Sequence, residues 1–296
     1  MIFRIYGPKK PISHAMARWG SLLLFLCAMA VQDVRACTVW GAAGNRVEGG
    51  GVIAAKNRDN TPNLPTVLRL LYPKSGYRVF ALFDTEADGY VTGGINEKGL
   101  VVLNAAAGSV SRQKRLVATE DLTERLLTTF DSVDAVLGQS ELFAKSHPAL
   151  YMLADSSKVV SIQVAPGGDT AAHAVKNGTI AFSNHYTDKK VAWANERIGP
   201  SSKARLDRIR HLLAGHSSPM TADDFISMSA DRSGGPDHAL WRTGSTPDKV
   251  RTLASVVIFL PKSGPAEVYV RISGPDGTER THRMTADVIF PPQAVE

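Results

Sequence analysis

The amino-acid sequence predicts a layered α+β fold, in which two antiparallel sheets stack and helices cover their outer sides. Apolar runs bounded by Gly, Asn and Asp indicate short strands, and these runs occur in three blocks. A predicted pair of helices separates the first block from the second, and two further helices precede the last block. No repeat or low-complexity tract interrupts this order, which indicates a single globular domain.

The predicted strands are short and have an apolar or alternating pattern. The first two flank a turn-like segment at 45–51 that ends in consecutive glycines, so we expect them to form a hairpin. The predicted strands lie at 38–44, 52–57, 66–71, 78–83, 90–95, 99–104, 149–154, 158–164, 179–184, 253–260, 266–273 and 280–285.

Two helices are predicted between the first and second blocks of strands. Asp121 is followed three residues later by Glu124, a spacing that resembles a capping box at the start of the first helix. The second helix is expected from Asp131 to Phe143.

Two further helices are predicted before the last strands. An apolar stripe from Leu206 to Leu213 indicates the first of them, which Gly215 should end. A shorter helix is expected from Thr221 to Met228. The segment at 231–252 is rich in Gly, Pro, Ser and Asp without a clear period, and we expect a long surface loop there.

Residues 1–36 have the features of a secretory signal peptide. The segment has a basic start, a short apolar run from Leu22 to Val31 and small residues before a cleavage point. The apolar run is too short to span a bilayer. Cleavage after Ala36 would make Cys37 the first residue of a mature domain at 37–296, which we expect to be periplasmic or secreted.

The predicted mature chain carries little excess charge. Removal of the leader takes away five basic residues and one acidic residue, so the formal net charge falls from +6 to +2. No nucleic-acid partner is expected, because such proteins usually keep a concentrated basic face. Neither a metal nor an organic cofactor is expected, since His211 and His216 are not spaced for one helix face and the mature chain has no cysteine pair.

Cys37 would be the only cysteine of the mature chain, because Cys27 is lost with the leader. An unpaired thiol in an oxidising compartment is open to oxidation, so its place at the mature N-terminus indicates chemistry. An α-amine has a reference pKa of about 7.7–8.0, close to the value of about 8.5 for a thiol, and is a suitable base for it. The thiolate could then attack a carbonyl and form an acyl-enzyme without any histidine.

Lipidation of Cys37 is an alternative that needs no active site, since the lipid would anchor a noncatalytic binding protein to a membrane. Arg35 is a poor neighbour for the cleavage that lipidation requires, and a polar stretch at 32–33 separates the apolar run from the cysteine. No stable membrane anchor is therefore expected.

The predicted hairpin suggests a partner for Cys37. If its centre is Glu48, Asp59 lies directly across from Cys37, and opposed side chains have Cβ atoms about 4.5–5.5 Å apart. A carboxylate there could hold or orient the α-amine. The alternative is that Asp59, with neighbouring asparagines, only ends a strand.

Two asparagines are candidate donors to the oxyanion of a tetrahedral intermediate. Asn104 and Asn184 each close an apolar run, although asparagine also ends strands for reasons of turn geometry. His185 follows Asn184, but a structural histidine is as well supported as a catalytic one, so no proton transfer is assigned to it.

The chain resembles a family of N-terminal-nucleophile cysteine hydrolases. This family includes penicillin V acylase, bile-salt (choloylglycine) hydrolase and the related acyl-coenzyme A:6-aminopenicillanate acyltransferases. The resemblance spans most of the mature chain and depends on the order of its motifs. These motifs are Cys37-Thr38, Lys56-Asn57-Arg58-Asp59, Gly94-Ile95-Asn96-Glu97-Lys98-Gly99-Leu100 leading to Asn104, Ser183-Asn184-His185, and Ser201-Ser202 followed by Arg205.

The resemblance implies a four-layer αββα fold and a role for each matched residue. Cys37 would be the nucleophile, Asp59 would orient its amine, and Asn184 would donate to the oxyanion. Asn104 would contribute its backbone to the same oxyanion hole, and Arg205 would support the nucleophile electrostatically. From position alone, Arg205 would be a solvated helix charge.

Lys56 departs from the pattern of the hydrolases, which usually carry arginine three residues before the aspartate. Lysine cannot reproduce the planar fork of arginine, although Lys56 remains a candidate site residue. Strand alternation predicts that Lys56 and Arg58 share one face of their strand.

The sequence therefore predicts an exported amidohydrolase that cleaves linear N-acyl amides through an acyl-enzyme on Cys37. Acyl transfer to an amine is the alternative within the same chemistry. The expected partner is a small-molecule N-acyl amide whose acyl and amine groups the sequence does not specify. Dimers and tetramers occur in the resembled family.

Overall fold

The computed structural model describes residues 36–292 except 63, 65, 85–88, 116–121 and 275. The predicted signal peptide before Ala36 and the predicted helix start at Asp121 lie outside these described residues. Within the described part of the chain, no helix is long and apolar enough to cross a membrane.

Strands make up most of the regular structure. They are β1 (Ala36–Ala43), β2 (Val52–Asn60), β3 (Thr66–Leu71), β4 (Val79–Asp84), β5 (Tyr90–Asn96), β6 (Val101–Ala106), β7 (Ala149–Asp155), β8 (Lys158–Val164), β9 (Thr170–Val175), β10 (Gly178–Phe182), β11 (Arg251–Leu260), β12 (Glu267–Ser273) and β13 (Glu279–Thr285).

The helices lie between these strands and at the end of the described chain. They are α1 (Arg112–Arg115), α2 (Leu122–Thr129), α3 (Val133–Leu137), α4 (Glu141–Ala144), α5 (Pro200–Gly215), α6 (Ala222–Ser229), α7 (Gly235–His238) and α8 (Ala286–Ile289), with short 3₁₀ helices at Gly44–Arg46 and Ala192–Ala194.

The strands form two antiparallel sheets. One has six strands in the order β10-β1-β2-β11-β12-β13, and the other has seven in the order β3-β4-β5-β6-β7-β8-β9. In the first sheet, β1 is flanked by β2 and by the much later β10, so its backbone is paired on both sides.

Alternate side chains of each strand enter different apolar layers, as the period of two requires. Val39 and Ala54 belong to a core between the two sheets, together with Leu103 from the facing sheet. Trp40 packs in a second layer with α5 and α6, while α2, α3 and α4 cover the outer side of the seven-stranded sheet. The result is the predicted four-layer αββα architecture.

The predicted strands agree with the observed ones to within two or three residues at each end. The strand β9 is absent from the prediction, because its alanine-rich sequence is mostly exposed and has no strong apolar pattern. The single helix predicted from Asp131 to Phe143 is wrong. Gly138 ends α3, and a turn separates it from α4.

The expected surface loop at 231–252 is only partly correct, since residues 243–249 are irregular and mostly exposed but the rest departs from it. This segment contains α7 and then runs inward, so that residues 239–242 are buried. The backbone N–H of Arg242 donates to Thr252 Oγ1 at 2.9 Å, and the N–H of Thr252 donates to the carbonyl of Arg242 at 2.9 Å. These bonds tie the segment to the start of β11.

The hairpin of β1 and β2 is present, but its predicted register is wrong by one residue. Cys37 pairs with Arg58, and Asp59 pairs with Ala36. The turn between the strands holds the 3₁₀ helix and three glycines with positive φ, Gly49 to Gly51, so its centre differs from a simple symmetric turn. A slip of one residue reverses the face of each side chain. Asp59 therefore lies on the helix-covered side, opposite to the side of Cys37.

Candidate active site

Cys37 lies near the start of β1, with its side chain in the core between the sheets and 7% exposed. The backbone N–H of Cys37 donates to Asn184 Oδ1 at 2.9 Å. Arg58 is its cross-strand neighbour, and Lys56, on the same face, is the cross-strand neighbour of Val39. The prediction that Lys56 and Arg58 share a face is confirmed, and both cations lie on the side of the thiol.

Asp59 approaches the other side of the same strand pair. Asp59 pairs with Ala36 and Arg58 pairs with Cys37, so the side chains of Asp59 and Cys37 point to opposite faces of the strand pair. Asp59 Oδ1 accepts a hydrogen bond from Thr252 Oγ1 at 2.8 Å. Asp59 Oδ2 has no hydrogen-bond partner among the described residues.

Two arginines face that second oxygen of Asp59. Arg205 Nη1 is 3.8 Å away and Arg242 Nη1 is 3.6 Å away, and all three side chains are nearly solvent-free. Burial raises the pKa of the Asp59 carboxyl, while the two arginines act in the opposite direction and limit that rise. The two arginines therefore interact with this oxygen as ion pairs rather than through hydrogen bonds.

Arg205 connects the helix layer to the strand that carries Cys37. From α5, Nη1 donates to the carbonyl of Cys37 at 2.5 Å and to Thr38 Oγ1 at 2.6 Å, while Nη2 donates to Asn184 Oδ1 at 2.9 Å. A solvated helix charge is thus excluded for Arg205. Its fork fixes the backbone of the strand and the amide of Asn184 in one arrangement.

Asn184 follows β10 and receives bonds from several directions. Its side-chain oxygen accepts from Cys37 and Arg205, so the amide nitrogen faces the other way and donates to the carbonyl of Ala106 at 3.0 Å. The backbone N–H of Asn184 donates to Ser202 Oγ at 3.0 Å. Asn184 is therefore fixed in position, and its role as an oxyanion donor stays a prediction.

His185 belongs to a buried hydroxyl cluster behind Asn184. Its Nδ1 is 2.8 Å from Ser202 Oγ, and Ser183 Oγ is 2.6 Å from the same hydroxyl. Burial, followed by the positive charges of nearby arginines including Arg205, lowers the pKa of His185, so the neutral ring is favoured. The Ser202 hydroxyl is therefore the hydrogen-bond partner of the His185 ring, as expected for a structural histidine.

Lys56 reaches across the core to the facing sheet. Its Nζ donates to Asn104 Oδ1 at 3.0 Å and to the carbonyl of Thr92 at 2.5 Å. Asn104 lies inside β6 rather than at its end, and its Nδ2 donates to Thr123 Oγ1 of α2 at 2.8 Å. A chain of hydrogen bonds therefore links the Cys37 face of β2 to the opposite helix layer.

A cavity of about 310 Å³ opens beside these groups, at the lower end of the range for small-molecule sites. Arg58 and Asp84 form an ion pair at 2.7 Å in its wall, and Tyr90 donates to the same carboxylate at 3.1 Å. The remaining lining residues are Cys37, Lys56, Asp59, Asn60, Thr92, Asn104, Ala105, Ala106, Arg115, His147, Pro148, Ala149 and Tyr151.

The structure brings all six sequence-predicted site residues into one connected region. Lys56 and Asn104 touch each other and share the cavity wall with Cys37, while Asn184 and Arg205 hold the Cys37 backbone. Sequence analysis did not predict Arg242 and Thr252, which contact Asp59. The only signal for an inward turn of this segment is the apolar pair at 240–241. Among the described residues, no group of three or more His, Cys, Asp or Glu could hold a metal.

The fold is that of the N-terminal-nucleophile hydrolases. It is similar to penicillin V acylase from Agrobacterium tumefaciens, with a TM-score of 0.53 and 14% identity over 84% of this chain and 86% of that chain. A mutant of the conjugated bile acid hydrolase from Clostridium perfringens aligns with a TM-score of 0.48 and 13% identity, over 84% of this chain and 92% of that one. No curated protein sequence matches the chain.

The family itself follows from a match over most of the sequence. The model of the acyl-coenzyme A:6-aminopenicillanic acid acyl-transferase family matches residues 46–273, and the chain belongs to this family. The matched range contains Lys56, Asp59 and Arg205 and begins after Cys37. The protein is accordingly an acylase, hydrolase or acyltransferase of that family.

Proposed function

We propose that the protein is an exported amidohydrolase that cleaves the C–N bond of linear N-acyl amides, with Cys37 as an N-terminal nucleophile. The observation that carries the proposal is that Asn184 and Arg205 hydrogen-bond the backbone N–H and carbonyl of Cys37, while Arg205 also forms an ion pair with Asp59. A site that uses the α-amine of Cys37 needs its backbone held in this way, with a carboxylate linked to the same network. Export and removal of residues 1–36 are part of the same proposal, because only cleavage before Cys37 frees that amine.

In the proposed reaction, the neutral α-amine takes the thiol proton of Cys37, and the sulfur attacks the acyl carbonyl carbon. The resulting ammonium can donate to Asp59 Oδ2, the buried oxygen that lacks a hydrogen-bond partner among the described residues. The ammonium then gives its proton to the leaving nitrogen as the C–N bond breaks. Water adds to the thioester, the carboxylic acid leaves, and the thiol is restored.

The tetrahedral oxyanion needs donors at the Cys37 end of the cavity. Asn184 Nδ2 carries a second hydrogen besides the one it gives to Ala106, and we assign that hydrogen to the oxyanion, together with backbone N–H from the region of Asn104. Lys56 lies on the same side and adds positive charge near the reacting centre. No step requires a histidine.

Acyl transfer is a second candidate, favoured by the acyltransferase family match. An added amine would then replace water in the second half of the reaction. A transferase should partition the acyl group to that amine, whereas a hydrolase should release free acid whether or not the amine is present.

The test measures the intact mass of the exported protein before and after exposure to a panel of N-acyl amides and activated acyl esters. We expect the mass of a chain that begins at Cys37. We also expect a transient acyl adduct, which Cys37→Ala should abolish. Cys37→Ser keeps the size of the side chain and tests whether the thiol itself is needed.

Three outcomes would contradict the proposal. A mature chain whose first residue is not Cys37 would lack the free amine on which the proposed chemistry depends. A permanently lipidated N-terminus would support the noncatalytic, lipid-anchored alternative. An adduct that persists in Cys37→Ala would place the nucleophile elsewhere.

A further inference from the structure

The strands β5 and β6 of the seven-stranded sheet part from each other beside the candidate active site. They pair at three positions, of which the last joins Gly93 to Leu103, although β5 begins at Tyr90 and β6 continues to Ala106. Beyond that pair, β5 stays joined to β4 and β6 stays joined to β7. The diverging segments, 90–92 and 104–106, are therefore the walls of a notch in the sheet and not frayed strand ends.

A β-bulge and a lysine fix the inner end of this notch. The register of β4 against β5 shifts at Thr92, which is the extra residue on β5. Bulges of this kind bend a strand and end its pairing, often next to active sites. Lys56, from the other sheet, donates to the carbonyl of Thr92 on one wall and to Asn104 Oδ1 on the other. The separation of the two strands is thus built into the fold.

The cavity beside Cys37 passes through the notch from one side of the sheet to the other. Cys37 and Ala105 belong to the core between the sheets, whereas Ala149 and Tyr151 belong to the apolar layer on the outer side, and all four line the cavity. Most of the cavity surface is apolar. A group bonded to the sulfur can therefore extend between two strands into the outer layer.

Two small side chains lie in the outer part of this path. Ala106, at the end of β6, forms a cross-strand pair with Ala149, at the start of β7, and both line the cavity. The Cβ atoms of such a pair are about 4.5–5.5 Å apart, so the two methyl groups form one surface. A larger side chain at either position would fill the space that the alanines leave.

The proposed reaction indicates which part of the substrate lies in the notch. The leaving nitrogen takes its proton from the α-amine and therefore lies beside the backbone of Cys37. The acyl group stays bonded to the sulfur, and the Cys37 side chain lies in the core between the sheets, on the side of the notch. Because the amine product leaves first, the deeper position belongs to the group that stays on the enzyme.

We propose that the notch is the acyl site, that it takes straight-chain aliphatic acyl groups, and that Ala106 and Ala149 determine the chain length it accepts. This inference rests on the proposed function of Cys37 as an N-terminal nucleophile. A passage between two strands admits an unbranched chain and excludes a branched one, and the apolar outer layer favours hydrocarbon over polar groups.

The test measures kcat/KM of the processed protein for 4-nitroanilides that differ only in the acyl group, from the release of 4-nitroaniline. The acyl groups are acetyl, hexanoyl and 4,4-dimethylpentanoyl, whose branch is far from the carbonyl and leaves its intrinsic reactivity unchanged. Hexanoyl should be preferred to 4,4-dimethylpentanoyl by at least about 10-fold, and Ala149→Leu should lower the ratio of hexanoyl to acetyl by at least about 10-fold.

Ala172→Leu is the matched control, because Ala172 is an exposed alanine on β9 of the same sheet and lies outside the cavity lining. It should leave the ratio of hexanoyl to acetyl at the wild-type value. Should Ala149→Leu not fold, Ala106→Val adds bulk to the other member of the pair with a residue that favours strands, and carries the same expectation.

An unchanged ratio in a folded Ala149→Leu or Ala106→Val protein would overturn the inference, as would equal cleavage of the straight and branched acyl groups. Cleavage of none of the anilides by the wild type would count against the proposed function itself. The melting temperature in the presence of hexanoate then tests the notch without catalysis. A rise in the wild type that Ala149→Leu abolishes would support an acyl site, and equal shifts in the two proteins, or none, would overturn it.

Discussion

At the scale of single residues, the site is organised around the backbone of Cys37 rather than around its sulfur. Asn184 accepts from the N–H of Cys37, and Arg205 donates to its carbonyl. Because both neighbouring peptide groups are held, the direction of the Cα–Cβ bond of Cys37 is fixed. In the proposed reaction, preorganisation of this kind would lower the cost of bringing Cys37 to its substrate.

Lys56 provides a residue-scale prediction. Lys56→Met removes the donor to Asn104 Oδ1 and to the Thr92 carbonyl, and a buried acceptor left without a donor costs about 1–3 kcal/mol. Because both acceptors line the same cavity as Cys37, we expect the acylation rate of Cys37 to fall about 10- to 100-fold. Lys56→Arg keeps the charge and should retain more activity, although its planar fork fits a different set of acceptors.

The matched control for Lys56 is Lys203→Met, since Lys203 is an exposed lysine on α5. The acylation rate of the Lys203→Met protein should equal that of the wild type. A wild-type rate in Lys56→Met would show that the hydrogen bonds of Lys56 do not support the site.

At the scale of elements, α6 is tied to the strand that carries Asp59. Asn57 Nδ2 donates to the carbonyl of Ser229, the last residue of α6, at 2.8 Å, and to the carbonyl of Leu240 at 2.8 Å. One amide of β2 thus holds both the end of a helix and the segment that leads to Arg242. The helix layer is attached to the sheet by polar bonds as well as by apolar packing.

The start of α6 offers a prediction at this scale. Thr221 and Asp224 form a reciprocal capping box, in which each side chain accepts from the backbone N–H of the other residue. Thr221→Ala should lower the free energy of unfolding by about 1 kcal/mol, as measured by urea denaturation. Thr221→Ser keeps the accepting oxygen and should lose much less. Equal losses in the two variants would argue that the methyl group, not the cap, matters.

Helices and strands were predicted better than the register and contacts between them, for a physical reason. Apolar periodicity reports which residues are buried, so β8 and the end of α5 at Gly215 could be placed from sequence. The register of β1 against β2 depends on the conformation of the turn, which composition does not specify, and an error of one residue moved Asp59 to the wrong face. Arg242 was missed because its contacts join an aperiodic segment to residues far along the chain.

At the scale of the whole molecule, the two sheets approach closely at Gly41. A Cβ at this position would lie 3.1 Å from Val159 Cγ2 and 3.3 Å from Met152 Sδ of the facing sheet, and 3.1 Å from the carbonyl oxygen of Ile53. Such contacts are tighter than ordinary van der Waals packing. The absence of a side chain here lets β1 lie flat against β8.

Gly41→Ala should therefore destabilise the protein by about 1–3 kcal/mol, the usual cost of overpacking a core. Val159→Ala, which removes the facing methyl groups, should relieve part of this loss, so the double variant should be more stable than the sum of the single losses predicts. Urea unfolding of the four proteins gives the coupling. Strict additivity would mean that the strain falls on the Ile53 carbonyl instead.

The antiparallel pairing of β1 with β10 joins segments of the site that lie far apart in the chain. The hydrogen bonds that define the site join residues 147, 168 and 193 positions apart in sequence. Contacts of such high sequence separation form late, because the entropy of closing long loops must be overcome first. The site should therefore be completed only after nearly the whole domain has emerged and packed, and a nascent or truncated chain would carry a thiol without its surrounding groups.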